Sequence, residues 1–357
     1  RSGRRSGLLS PNISPAELVR NSTDYQRSVE NLGYYFAISD YLDASVWLDW
    51  HSGARETSRG PGLMRYNGSV SYKWLDRFMT GQLTTSYEAW RDGLRNLAVS
   101  WNHNQQFSQR TSFTANVNYA QSTRLQQRGA FNPAAAIATI RSSANYQTKR
   151  GPFSFSLGGS RLQYTGQDKV DMTLPTLNIT SKPLGVGEWL TWTPGLSVSN
   201  ALNQNLPVAG ELGFSFRQDG SGILRDTLKY NRRSTNITFT TPLKIFGFDW
   251  QNSFTVEDRD SDGPVRATIF NSAQPGDSSV RVFAREFTSK VNWTTSINLP
   301  SAFQGTWNLT PSVGIEDVNP GTGFLVRSYL SGGDWVRQSK RLRGSLSLSP
   351  TFFRQYG

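Results

Sequence analysis

The sequence predicts an all-β protein, a large antiparallel transmembrane β-barrel of about 17–18 or more strands, not all of which need lie in this chain. Segments of strand length repeatedly alternate apolar and polar residues, with turn residues between them. No apolar run approaches the roughly 18 residues that a membrane helix needs. The chain is 36% hydrophobic and 12% aromatic, which is poor material for the aliphatic core of a soluble β-sandwich. A membrane barrel instead needs an apolar outer face, a polar lumen and interfacial Trp and Tyr.

The alternation is clearest over residues 64–74. One parity there holds Met64, Tyr66, Gly68, Val70, Tyr72 and Trp74, and the other holds Arg65, Asn67, Ser69, Ser71 and Lys73. Successive side chains of a strand point to opposite faces, so this segment has an apolar and a polar side. The same pattern recurs in later segments, for example in Leu97, Val99 and Trp101, and in Val291, Trp293, Ile297 and Leu299.

The pattern predicts strands in order along the chain, with boundaries uncertain by about 2–4 residues. They span residues 32–39, 41–51, 63–75, 78–90, 94–104, 111–121, 137–147, 153–164, 169–181, 189–199, 210–218, 236–246, 248–257, 287–299, 303–316 and 340–353. Three turn-rich stretches are predicted as connecting loops: residues 60–62, 258–264 and 271–279.

We expect one barrel domain over residues 1–357. Residues 1–30 would supply a leading segment and the first strand. The abrupt basic start at Arg1, with no signal peptide, is typical of a fragment or a processed product.

The charge favours anionic lipid over nucleic acid as a partner, and the alternative is that the arginines are solvated charges of loops and lumen. The net charge is +12, and the 38 basic residues comprise 30 Arg and 8 Lys. Arg binds phosphate well, yet these residues are scattered along the chain, whereas a nucleic-acid protein concentrates them in a patch or tail. The chain has no cysteine, which excludes disulfides and thiolate metal sites within it.

Candidate residues of the polar lumen lie in the strands predicted over 41–51 and 63–75. They are Asp43, Trp47, Asp49, His51, Arg65 and Lys73, all on the polar parity. These side chains could contact a polar substrate. The alternative is that they only solvate the lumen.

The sequence offers little for catalysis or cofactors. The only two histidines fall on opposite parities, His51 on the polar one and His103 on the apolar one, so they would not share a site. Residues 258–263 resemble half a calcium loop, but Ile269 stands where the bidentate Glu is required, and an acidic surface turn fits better. We therefore predict no enzyme activity and no cofactor.

Several motifs resemble those of the lipopolysaccharide-assembly family LptD. The most specific are residues 1–13, RSGRRSGLLSPNI, and residues 31–43, NLGYYFAISDYLD. Weaker similarities are RYNG at 65–68, GQL at 81–83 before Ser86 and Tyr87, the run 97–105 with 117–122, and LPTLNI at 174–179. The resemblance is strongest over the first half of the chain.

The resemblance implies an outer-membrane protein of a Gram-negative bacterium that receives lipopolysaccharide from a periplasmic bridge. The family's periplasmic domain precedes the motif at residues 1–13 and would be missing here. The lipid would leave through a lateral seam between the first and last strands, where Pro11, and less clearly Pro15, would remove ladder hydrogen bonds. Implied partners are lipopolysaccharide, outer-membrane lipid, bridge proteins and a lipoprotein plug. The alternatives are a generic porin or channel and a structural barrel.

Overall fold

A computed structural model gives the fold of the protein. It describes residues 4–13, 27–53, 62–121, 139–164, 168–208, 214–219, 222–270, 278–300, 307–319 and 321–350. The strands are β1 (Gly7–Leu8), β2 (Ser28–Ser39), β3 (Leu42–His51), β4 (Leu63–Trp74), β5 (Met79–Trp90), β6 (Arg95–Ser108), β7 (Thr111–Ala120), β8 (Thr139–Arg150), β9 (Phe153–Tyr164), β10 (Val170–Ser181), β11 (Leu184–Val186), β12 (Leu190–Trp192), β13 (Gly195–Pro207), β14 (Phe214–Asp219), β15 (Gly222–Thr227), β16 (Lys229–Thr240), β17 (Leu243–Ile245), β18 (Phe248–Ser261), β19 (Val265–Phe270), β20 (Ser278–Phe283), β21 (Glu286–Asn298), β22 (Trp307–Asp317), β23 (Leu325–Ser328), β24 (Trp335–Arg337) and β25 (Lys340–Pro350).

The fold is all-β, as predicted. Twenty-one strands belong to one antiparallel sheet, while β14 with β15 and β19 with β20 form two separate hairpins. A short 3-10 helix, Tyr329–Ser331, follows β23. Within the described part of the chain, no helix is both long and apolar enough to cross a membrane.

The chain divides into two compact units, which are described separately. Unit 1 comprises Arg1–Thr148 and Gly158–Met172, and unit 2 comprises Lys149–Leu157 and Thr173–Gly357. The expectation of a single domain stays a prediction.

In unit 1, consecutive strands from β1 to β8 pair antiparallel. The register keeps the predicted faces together: Tyr72 lies opposite both Leu42 and Gly81, and Arg65 lies opposite both Asp49 and Glu88. A pleated sheet aligns opposite residues on one side, so each face remains uniform across the strands. Many apolar side chains on the face that carries Tyr72 remain exposed, including Val46 and Tyr66.

The two edges of unit 1 differ in the length of their connections. At one edge, short turns at residues 40–41, 75–78 and 109–110 join β2 to β3, β4 to β5 and β6 to β7. At the other edge, residues 52–62 join β3 to β4 and residues 121–138 join β7 to β8, while the short turn 91–94 joins β5 to β6. We call these the short-turn edge and the long-connection edge.

In unit 2, two strands pair with different parts of β21, an arrangement that we call the fork. The strand β22 pairs with residues 295–298 of β21, and β23 takes its place along residues 288–291. At the fork the Lys340 ammonium donates to Asp317 Oδ1 (2.8 Å), Asn292 Oδ1 (2.7 Å) and the Trp293 carbonyl (2.6 Å). These bonds tie β21, β22 and β25 together where the β21–β22 ladder ends.

Two predicted strands were wrong because proline interrupts them. The predicted strand 189–199 divides into β12 and β13 around Pro194, and 236–246 divides into β16 and β17 around Pro242. Proline cannot donate a ladder hydrogen bond. Instead, the Thr193 amide donates to the Pro242 carbonyl (3.1 Å), so the two interruptions lie side by side.

The predicted loop over residues 258–264 was also wrong, as was the acidic turn within it, because β18 continues to Ser261. Arg285 binds Asp260 through Nε and Nη2, both at 2.7 Å, and Arg233 binds Asp258 at 3.1 Å. Cross-strand arginines thus neutralise the carboxylates, and the acidic run extends the sheet. The sequence pattern also missed β11, β15, β19, β20, β23 and β24, each of six residues or fewer.

Candidate transport site at the first strand and the polar face

The first strand is attached to β2 by few hydrogen bonds. Gly7 and Leu8 pair with Tyr35 and Tyr34, and the Leu9 amide donates to the Gly33 carbonyl (2.9 Å). Beyond Pro11, Asn12 forms one isolated bridge with Glu30. The regular ladder of β1 is therefore only two residues long.

Pro11 lies opposite a defect in β2. The register of Gly7 and Leu8, which the Asn12–Glu30 bridge preserves, places Pro11 opposite Asn31. Asn31 has a φ of 59°, and the β2–β3 register shifts between Val29 and Leu32, which marks a bulge. Pro11 has no amide hydrogen to donate to Asn31.

Asn31 forms two other hydrogen bonds in place of the missing ladder bonds. Its backbone amide donates to Asp49 Oδ1 on the neighbouring strand (2.9 Å), and its side-chain Nδ2 donates to the Ser10 carbonyl (2.9 Å). Asp49 Oδ2 also accepts a hydrogen bond from Asn67 Nδ2 (2.8 Å). The buried carboxylate of Asp49 thus joins the bulge of β2 to β3 and β4.

The other end of the leading segment is anchored at the short-turn edge. Arg4 forms an ion pair with Asp43, and the Ala37 amide donates to Ser6 Oγ (2.9 Å). The hydrogen bond to Asp43 raises the pKa of the Arg4 guanidinium above its ordinary value. The ion pair with Asp43 therefore attaches the leading segment to the start of β3.

The remaining predicted polar-face residues differ in environment. Arg65 binds Glu88 Oε1 through Nε (2.9 Å) and Nη2 (2.6 Å), and the buried Asn96 Nδ2 donates to Glu88 Oε2 (3.2 Å). His51 is buried opposite Leu63 at the end of β3, and Trp47 is half-buried opposite Gly33. Lys73 is exposed near the short-turn edge.

The register therefore brings all six predicted residues to one face, but two of them, Asp49 and His51, are buried within the protein. Contact with a substrate stays a prediction for all six. Pro15 lies outside the described residues. No group of three or more His, Cys, Asp or Glu side chains that could hold a metal occurs among the described residues.

Sequence reasoning missed Asn31, Glu88, Asn96 and Arg4. One signal for Asn31 was available: the apolar parity changes between Val29 and Leu32, which indicates an extra residue. The partners of Arg65 and Asp43 could not be found without the register, because they lie 23 and 39 residues away.

The apolar face carries aromatic side chains with polar tips near the short-turn edge. The Tyr72 hydroxyl contacts His103 Nδ1 at 2.7 Å and accepts a hydrogen bond from Trp101 Nε1 at 3.0 Å. The ring of His103 also contacts Phe113, with centroids 5.5 Å apart. Such amphipathic clusters are typical of the membrane–water interface. His103 thus lies on the predicted apolar face.

An all-β sheet that is apolar and exposed on one face and hydrogen-bonded among polar side chains on the other is the wall of a transmembrane β-barrel. A protein-family model described as "LptD protein" matches residues 1–318. The chain therefore belongs to the LptD family. It is an outer-membrane β-barrel protein of lipopolysaccharide transport in a Gram-negative bacterium, which confirms the predicted family, fold class and location.

Two solved structures are among those similar to the chain. A structure titled "Bacterial polysaccharide outer membrane secretin" has 8% sequence identity and a TM-score of 0.24, with 91% of each chain covered. The ferric-catecholate import receptor Fiu from E. coli K12, in its closed form, has 9% identity and a TM-score of 0.26, covering 98% of this chain and 62% of that chain. No curated protein matches the chain.

Proposed function

We propose that the protein inserts lipopolysaccharide into the outer leaflet of the outer membrane through a lateral seam between its first and last strands, which opens when β1 moves. The observation that carries the proposal is the weak attachment of β1. The regular ladder with β2 contains two residues of β1, Gly7 and Leu8. Pro11 follows them and lies opposite the bulge of β2 at Asn31. Opening a seam costs least where ladder hydrogen bonds are already absent.

The position of the defect supports release on the outer side. Short turns of outer-membrane barrels are periplasmic and longer loops are extracellular. The short-turn edge, where Arg4 binds Asp43, is then periplasmic, and Pro11 lies on the extracellular side of Gly7–Leu8. A break in the outer half of the strand suits delivery to the outer leaflet.

The polar face suits the chemistry of the cargo. Lipopolysaccharide joins acyl chains to a phosphorylated saccharide, and polar side chains such as Lys73, Gln82 and Ser100 offer hydrogen bonds to its head group. We further propose that bridge proteins deliver the lipid from the periplasmic side, and that a lipoprotein plug occupies the lumen.

The substitution Pro11→Thr tests the seam. Threonine is a good strand former and supplies the amide that proline lacks, so it can donate to the carbonyl of Asn31. One added hydrogen bond is worth about 0.5–1.5 kcal/mol, which corresponds to roughly two- to tenfold slower opening. We expect slower appearance of new lipopolysaccharide at the surface of cells that depend on the variant.

Pro311→Thr is the matched control, because Pro311 also lies inside a strand, β22, which pairs with β21 and β25. Its export rate should equal that of the wild type. Equal export by Pro11→Thr, at equal protein levels, would contradict the seam. Ion conductance without any lipopolysaccharide export would support the porin alternative.

A further inference from the structure

The apolar face of unit 2 becomes charged within one step along its strands. The ladder aligns an apolar row on this face, with one residue each from β16, β18, β21 and β23: Ile237, Val256, Val291 and Leu325. Two residues further along the strands, the next row on the same face holds Thr235, Asp258, Ser289 and Arg327. Ile237 and Val256 are exposed, so this face meets lipid, and the lipid-facing surface ends at the second row.

The charged row lies at the edge of unit 2 that has the longer connections. At one edge, residues 246–247 join β17 to β18 and residues 299–306 join β21 to β22. At the other edge, the connections 262–285 and 318–339 each contain a further hairpin. Longer loops of outer-membrane barrels are extracellular. The charged row therefore lies at the outer boundary of the membrane, at the level of the lipid head groups of the outer leaflet.

Four arginines and two aspartates gather at this boundary. We call them the charged rim: Arg233, Asp258, Asp260, Arg285, Arg327 and Arg337. Arg233 Nη2 donates to Asp258 Oδ2 at 3.1 Å. Arg285 donates to both oxygens of Asp260, through Nε and Nη2, at 2.7 Å each. Both carboxylates of the rim are thus neutralised by their own arginines.

The other two arginines of the rim have aromatic neighbours instead. The Arg327 guanidinium lies over the Phe287 ring, 5.8 Å from its centroid. The Arg337 guanidinium lies over the Phe324 ring at 5.1 Å. Neither arginine forms an ion pair with a residue that the structure describes. The rim therefore carries an excess of two positive charges beside the apolar row, where charged groups ordinarily have partners.

We infer that the charged rim binds the phosphorylated saccharide of a lipopolysaccharide molecule that resides in the outer leaflet. Arg327 and Arg337 bind phosphate oxygens, which guanidinium recognises through paired hydrogen bonds. The acyl chains lie along the apolar row and the exposed ring of Phe254. The inference goes beyond the proposed export and does not depend on the seam, since it requires only the outer-membrane location of the protein.

Photocrosslinking in cells that carry the full protein tests which lipid lies beside the rim. Trp335 is exposed and lies opposite Arg327 on the same face, whereas the neighbouring Val336 is exposed on the other face. A photoreactive amino acid at position 335 should capture lipopolysaccharide, and capture should persist after a long chase because the lipid is resident. The same amino acid at position 336 is the matched control and should capture little.

The double substitution Arg327→Gln with Arg337→Gln tests the charges. It removes the excess positive charge and leaves both ion pairs of the rim intact, so we expect capture at position 335 to fall about tenfold. Arg232→Gln with Arg259→Gln is the control, because these exposed arginines lie at the same ends of β16 and β18 but on the polar face. The control should leave capture at position 335 unchanged.

Recognition of phosphate is tested without any charge substitution. The purified full protein with the photoreactive amino acid at position 335 is placed in vesicles that contain either lipopolysaccharide or enzymatically dephosphorylated lipopolysaccharide. We expect capture of the phosphorylated form and about tenfold weaker capture of the other. Equal capture of the two forms would overturn the inference.

Two results in cells would also overturn it. One is capture of phospholipid in place of lipopolysaccharide at position 335. The other is equal capture by the wild type and the double variant at equal protein levels. The rim and the seam fail separately: unchanged export by Pro11→Thr contradicts the seam alone, and loss of capture at position 335 with seam-dependent export contradicts the rim alone.

Discussion

Two buried carboxylates, Asp49 and Glu88, organise the polar face of unit 1 at the scale of single residues. Asp49 accepts hydrogen bonds from Asn31 and Asn67, and Glu88 accepts them from Arg65 and Asn96. Buried charges are tolerated only when they are paired and hydrogen-bonded. Both groups therefore stabilise the sheet, and at Asp49 this replaces the wet lumen lining that was expected.

The residue-scale prediction concerns Glu88→Gln. Only 17% of the Arg65 side chain and 5% of the Glu88 side chain are exposed, so the substitution removes a negative charge that a poorly solvated guanidinium binds through two nitrogens. We expect the free energy of unfolding to fall by about 1–3 kcal/mol, measured by urea titration of the refolded barrel in lipid vesicles.

Glu257→Gln is the control for this prediction. Glu257 lies 3.8 Å from Arg259 in an exposed pair, and such pairs contribute little. The control should change the free energy of unfolding by less than about 0.5 kcal/mol. An equal effect of both substitutions would contradict the structural importance of the Arg65–Glu88 pair.

At the scale of elements, β4 and β5 fit together through a close approach between Tyr72 and Gly81. A Cβ atom at Gly81 would lie 2.2 Å from the Tyr72 hydroxyl oxygen and 2.7 Å from the Asn102 carbonyl oxygen. The absence of a side chain at Gly81 thus makes room for the tyrosine ring that reaches His103 and Trp101. Aromatic residues that cover a strand glycine in this way also fix the register.

The element-scale prediction is that Gly81→Ala displaces Tyr72 and breaks its contacts with His103 and Trp101. Overpacking of this kind typically costs about 1–3 kcal/mol. The free energy of unfolding in lipid vesicles should fall by that amount. Gly344→Ala serves as the control, because a Cβ at Gly344 meets no atom within 4 Å. Unchanged stability of Gly81→Ala would contradict the fit described here.

Two of the wrongly predicted strands are interrupted by proline, whereas Pro175 in β10 and Pro311 in β22 leave their strands continuous. Strands such as β4 and β5 alternate without interruption, and their predicted bounds differ from the observed ones by one residue at most. The breaks at Pro194 and Pro242 fall inside apolar patterns that continue on both sides, so periodicity alone joined separate strands. The start of β2 was missed because the bulge at Asn31 reverses the parity of the pattern.

At the scale of the whole molecule, alternation predicted the shared face of the six lumen candidates but not their partners. Face assignment follows from a period of two and needs no tertiary information. Long-range pairs such as Arg65 with Glu88 or Arg4 with Asp43 depend on the register, which only the assembled sheet supplies. For this reason the predicted lumen residues share one face, whereas their burial and hydrogen bonding could not be foreseen.

Lipopolysaccharide transport requires that the lipid meets the two faces of the sheet at different stages. The head group would pass the polar side before the acyl chains reach the apolar side. Trp47 and Val46 are adjacent residues of β3 that lie on opposite faces near β1 and β2. They therefore provide a matched pair of positions for observing the lipid in transit.

The most direct test is photocrosslinking of newly made lipopolysaccharide to a photoreactive amino acid at position 47 or position 46. We expect position 47 to capture labelled lipid first and transiently, and position 46 to capture it later and persistently. Capture at position 46 alone, with no lipopolysaccharide ever bound at position 47, would contradict transport past the polar face.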